Sequence, residues 1–213
     1  MTGSTVFWYA SRATGVVALL LLTAVFVLGI LVNRRGRLPG LPGFAVTNLH
    51  RNISLLAVAA IAVHVAAAVL DTYVHIPLLA AVVPFTSGYE RLWLGLGAVS
   101  LDLMLAIIVT SVLRGRLNPV LWRVIHLTAY ACWPVAFVHS VYASKDLQHG
   151  PLLYLALACA AMIVAAVAYR LAAASRQVPR AARVGMLLKD QPAKGLVEQG
   201  QIAGGPVMRG PRR

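Results

Sequence analysis

Four histidines carry the chemistry that this sequence suggests. His50 and His64 stand 14 residues apart, and His126 and His139 stand 13 apart. A neutral imidazole keeps one nitrogen lone pair free for a metal, and haem iron takes imidazole ligands readily. Two pairs on two helices could therefore hold two metal centres, each from both sides. The remaining two, His75 and His149, lie beside Asp71 and Asp146. They read as solvated loop residues, or as a place where an electron acceptor or metal docks.

The elements that carry these residues must be membrane helices. The 213-residue chain is 60% hydrophobic and 12% charged, with mean hydropathy +0.78. Soluble domains usually carry about twice that charged share. The apolar residues fall into five runs, near 13–32, 53–70, 92–113, 120–143 and 151–174. Runs of roughly 18 residues or more span a bilayer, and lipid leaves the backbone no partner outside its own helix. The first run does not read as a cleavable leader, because no basic segment precedes it and its apolar stretch is too long.

Charge orients the bundle. With the N-terminus outside, sixteen of nineteen basic residues fall on the inner side, including Arg34, Arg35, Arg37, Arg51, Arg114, Arg116 and Arg123. The excess of basic residues in cytoplasmic loops then predicts an N-out, C-in arrangement of five spans. The net charge of +13 needs no nucleic-acid partner, since orientation and contact with anionic lipid account for it.

In that arrangement the second and fourth spans run the same way. His50 and His126 share the inner depth, and His64 and His139 the outer, with about 20 Å between layers along each helix. Fourteen residues bring His50 and His64 to one helix face. Thirteen put His139 roughly 100–140° away from His126 in a regular helix. Pro134 lies between those two and predicts a kink that re-aims one imidazole. Rival readings are structural histidines bonded between helices, another metal, or a proton path.

Four arginines are candidates for holding haem propionates through paired hydrogen bonds: Arg51 and Arg123 at the inner layer, Arg12 and Arg91 at the outer face. Topology and lipid contact would explain the same four. Asp102, inside the third span, suits helix pairing or proton handling. Trp8, Tyr9, Trp93, Tyr142 and Tyr154 read as outer interfacial anchors and Trp122 as an inner one. Tyr130 and Trp133 are deeper, in the core or against haem. Cys132 and Cys159 fall within spans and read as packing residues.

The paired histidine spacing in alternate spans resembles the ferric reductase-like transmembrane domain, whose superfamily includes NADPH oxidases, ferric reductases and the haem subunit of the bacterial methionine sulfoxide reductase system. The segments FWYASRATG, YERLWLGLG and LWRVIHLTAY are similar to its short actinobacterial members, over about residues 5–174. The resemblance implies two b haems on His50, His64, His126 and His139. It also implies electron transfer from a cytoplasmic flavin donor to an acceptor across the membrane, with the chain serving as an oxidoreductase subunit.

Three segments are therefore expected: an outer start over 1–12, the haem domain over 13–174, and a basic, largely disordered cytoplasmic tail over 175–213. The tail is too short for a flavin or nicotinamide domain. Its GQIAGGP segment follows no strand and opens no helix, so it is not a dinucleotide fingerprint. The expected fold is an all-α, five-helix bundle in the plasma membrane around two stacked b haems. The expected function is electron transfer from a separate flavin/NAD(P)H reductase to ferric iron or a redox protein outside. A quinone-linked haem anchor subunit, and a haem-free transporter or assembly factor, are the alternatives.

Overall fold

The computed structural model describes residues 2–33, 42–72, 74 and 76–175. These form α1 (Thr2–Asn33), α2 (Gly43–Leu70), α3 (Leu78–Val82), α4 (Arg91–Val112), α5 (Pro119–Leu127), α6 (Ala129–Ser144) and α7 (Gly150–Ser175). Among the described residues there is no strand. Five helical stretches are long and apolar enough to cross a membrane: Thr5–Val32, Gly43–Leu70, Arg91–Val112, Pro119–Ser144 and Gly150–Ala174. The loop arginines Arg34, Arg35 and Arg37, His75, and the tail beyond Ser175 lie outside the described residues.

Two helices outrun their apolar stretches. The first starts at Thr2, so the expected outer segment is helical and continuous with the span. The second starts at Gly43 rather than near residue 53, which places His50 within it. Thr47, Asn48, Arg51 and Asn52 end the hydropathy signal without ending the helix. A backbone entering lipid keeps pairing with itself whatever its side chains are.

The fourth span is two helices. Asn118 caps α5, its side chain accepting from the Val120 N–H at 2.8 Å, and Pro119 takes the first helical turn, where its missing N–H costs nothing. The break comes at Thr128. The Thr128 N–H donates to the Ile125 carbonyl at 3.0 Å, the Ala131 N–H donates to the Thr128 carbonyl at 2.9 Å, and the Thr128 hydroxyl bonds Ile125 at 2.7 Å. Pro134 sits inside α6. A proline ring crowds the carbonyl four residues before it, here that of Tyr130. The tight turn therefore lies just ahead of the residue that carries the clash, rather than at Pro134 itself.

Packing runs pairwise, α1 along α2 and α4 along α6, with α1 also touching α6 and α3 resting on α4. Leu19, Leu147 and Ala156 form one buried cluster, and Trp133, Cys159 and Ile163 another. Trp133 donates its indole N–H to the Thr23 hydroxyl at 3.0 Å, and that hydroxyl bonds Leu19 at 2.8 Å. Tyr130 meets Phe26 edge-on at 5.0 Å. Trp133 is thus core packing between α1, α6 and α7. Both cysteines are free thiols and buried, as packing residues are. One compact unit ends at Val167, within α7.

Candidate functional site

His64 projects from α2 onto α1, and its Nδ1 lies 2.6 Å from the Ser11 carbonyl. His50, at the other end of α2, repeats the arrangement with Val25 at 3.1 Å. His139 projects from α6 onto α4 and meets the Trp93 carbonyl at 2.8 Å. A carbonyl oxygen can only accept, so each Nδ1 must carry the ring proton and donate it. That choice of tautomer leaves each Nε2 with a free lone pair, the state a metal requires.

His64 and His139 come together. Their ring centres are 6.3 Å apart, with planes at 78°. Both line one cavity of about 240 Å³, together with Gly15, Gly97, Met104 and Ala136. Two imidazoles on opposite sides of one metal ion would have ring centres roughly 6 Å apart, allowing about 2 Å for each metal–nitrogen bond plus the ring radii. Among the described residues, no three His, Cys, Asp or Glu side chains gather as a metal-binding group. A bare ion would find too few donors here. Iron that brings its own in-plane ligands needs only the two imidazoles.

The opposite end is built differently. His50 stands on α2 and His126 on α5. The His126 ring stacks on Trp122 at 5.0 Å and 23°, and the Arg114 guanidinium sits over the same indole at 4.2 Å. His126 Nδ1 and Trp122 Nε1 are buried without a hydrogen-bond partner among the described residues. Trp122, which reads from sequence as an interfacial anchor, is therefore part of the histidine's surroundings. Its position four residues before His126, one helical turn away, was the available signal.

The four arginines divide. Arg12 lines the cavity and is already engaged: it bonds both Asp146 oxygens, at 2.7 and 2.8 Å, and lies 3.8 Å over the Trp8 ring. Arg91 is exposed and donates to the Phe85 carbonyl at 2.6 Å, which ties the loop after α3 to the start of α4. Arg51 and Arg123 are exposed at the His50 and His126 end. Asp71 is buried, caps α2 and lines the cavity. His149 is exposed in the turn before α7.

A family model described as "Ferric reductase like transmembrane component" matches residues 14–142, more than half of the chain. The chain belongs to the ferric reductase-like transmembrane family. The matched segment holds all four histidines and their three carbonyl-bearing neighbours except Ser11, and it ends before α7. Ferric reductase-like transmembrane domains generally bind haem, and the family is associated with electron transfer across membranes. No curated protein and no solved structure matches the chain.

Proposed function

We propose that this ferric reductase-like protein is a di-haem cytochrome b that conducts electrons from a cytoplasmic flavin reductase to an acceptor at the outer face, ferric iron or a redox protein. The observation that carries the reading is the His64–His139 pair, facing across a shared cavity with each Nδ1 committed to a carbonyl. His64 and His139 hold the outer haem. His50 and His126 hold the inner one. Haem iron supplies the one-electron redox chemistry.

The chain's own residues do the rest. The carbonyls of Ser11, Val25 and Trp93 fix the tautomer and aim of three imidazoles. Arg12, which lines the cavity, and Arg91 would be the partners for propionates of an outer haem, and the exposed Arg51 and Arg123 for those of an inner one. For Arg12 that role competes with Asp146. No acid, base or nucleophile is required.

The test is cofactor content. Protein purified in detergent is expected to carry two low-spin b haems per chain by pyridine haemochrome assay and optical spectrum. A ratio near one removes the second site, and a ratio near zero favours a haem-free transporter or assembly factor. If electrons instead come from quinone, haem reduction in membranes will respond to a quinone-site inhibitor.

Orientation has its own test. The excess of basic residues supports an arrangement with the loop after α1, the α4–α5 turn and the C-terminus on the cytoplasmic side of the plasma membrane. A reporter fused after Arg213 is expected to read cytoplasmic, and one inserted at His149 external. The reverse pattern exchanges the inner and outer assignments.

A further inference from the structure

The three carbonyls that hold imidazoles share a local pattern. Each is followed four residues later by glycine: Ser11 by Gly15, Val25 by Gly29, and Trp93 by Gly97. In each case the ring bonded to that carbonyl is the one lying over that glycine. A Cβ built on Gly15 would come within 3.0 Å of His64, one on Gly29 within 3.4 Å of His50, and one on Gly97 within 2.6 Å of His139.

Helix geometry explains the pairing. Every Cα–Cβ bond tilts toward the helix N-terminus, so a residue's side chain covers the turn before it. The carbonyl of residue n therefore lies under the Cβ of residue n+4. A ring from another helix can reach that carbonyl from the side only where n+4 has no Cβ. Gly15 and Gly29 are also 14 residues apart, the same interval as His50 and His64 on the antiparallel neighbour. One helix thus carries two matching seats for two rings.

The fourth position departs from the pattern. Thirteen residues beyond Trp93 and Gly97, the interval between His126 and His139, α4 has Ala106 and Thr110, and Thr110 carries a Cβ where the other seats have glycine. The Ala106 and Ile107 carbonyls accept from the Thr110 hydroxyl, at 2.7 and 3.2 Å. Among the described residues His126 has no comparable seat: its Nδ1 finds no hydrogen-bond partner, and its ring stacks on Trp122.

We propose that Gly15, Gly29 and Gly97 are positioning residues, each seating one axial imidazole against a backbone carbonyl, so that the outer site is seated on both sides and the inner site on one. The inference rests on the di-haem reading and adds residues outside the ligand set. It ranks three substitutions. Gly97→Ala is the most disruptive, because the added methyl would occupy the space of the ring. Gly15→Ala is intermediate. Gly29→Ala requires His50 to yield only slightly.

The experiment is low-spin ferric EPR, with potentiometric titration, on the purified full chain and its variants. The EPR signal reports the orientation of the axial imidazoles, which a general loss of helix packing would not shift at one haem alone. The wild type is expected to give two signals. Gly97→Ala is expected to lose or strongly shift the outer-haem signal and keep the inner one. Gly15→Ala should shift the outer signal, and Gly29→Ala should shift only the inner one, by less. Gly43, with nothing within 4 Å of a built Cβ, is the control, and Gly43→Ala should leave both signals in place.

A wild type without two low-spin signals overturns the di-haem reading and this inference with it. Two wild-type signals that stay unchanged in Gly97→Ala and Gly15→Ala overturn the seating alone. So do variants in which both signals move together. If Gly97→Ala does not fold, Gly29→Ala still decides: an unshifted inner signal, or a shifted outer one, refutes the proposal.

Discussion

Replacing any one of the four span histidines by alanine is expected to remove one haem, largely spare the other, and stop electron transfer across the membrane. His64→Ala and His139→Ala should give the same spectral loss, because their rings face each other at 6.3 Å. His50→Ala and His126→Ala should give the other. The layers lie about 20 Å apart along the helices, so a ligand lost in one has little direct reach to the other. In sealed vesicles with reductant on the cytoplasmic side, the outer variants should still become partly reduced and fail to reduce an external acceptor. The inner variants should not accept electrons from that side, although a small reductant supplied outside should still reduce what remains. Optical titration of each variant, paired with the vesicle assay, checks both. If His50→Ala and His139→Ala abolish the same haem, the layer assignment fails.

The second large effect concerns the electron donor. The 213-residue chain on its own is expected to show no oxidation of NADH or NADPH, while dithionite reduces its haems fully. This expectation follows from the reading that a separate flavin reductase is the donor. Adding a flavin reductase partner should restore NAD(P)H-dependent reduction. The basic loops around Arg34–Arg37 and Arg114–Arg116 are the expected docking face, so the rate should fall as salt rises from about 0.1 M to 1 M, where the screening length shrinks from about 10 Å to about 3 Å. Stopped-flow reduction at several ionic strengths measures this. Robust NAD(P)H oxidation by the pure chain, or a rate indifferent to salt, would count against a separate, electrostatically docked donor.

Much of this architecture is legible in the chain itself. Long apolar runs dictate helices because lipid offers the backbone nothing else, and that argument needs no tertiary information. The spacing of His50 and His64 puts them on one helix face by periodicity alone. Their match to Gly15 and Gly29 is also written in the chain, as two intervals of 14 residues, although only the packing of α1 on α2 shows what that equality means.

Other features depend on the fold. Hydropathy stops at residue 53 and the helix does not, so the placement of His50 within α2 follows from backbone pairing rather than side-chain character. Pro134 predicts a distortion between His126 and His139, but that the helix breaks at Thr128, six residues ahead of the proline, is seen only in the backbone bonding of the fold. Arg12 reads equally well as a propionate partner, a lipid contact or a topology signal. Its pairing with Asp146, 134 residues away, exists only because α1 and the turn before α7 meet. Trp122 has the composition of an interfacial anchor, and its stacking on His126 depends on how α5 is turned. Residue type and period thus determined which helices form and which histidines share a depth. The close approach of helices, which sets what each ring touches and which nitrogen stays free, was decided by tertiary packing.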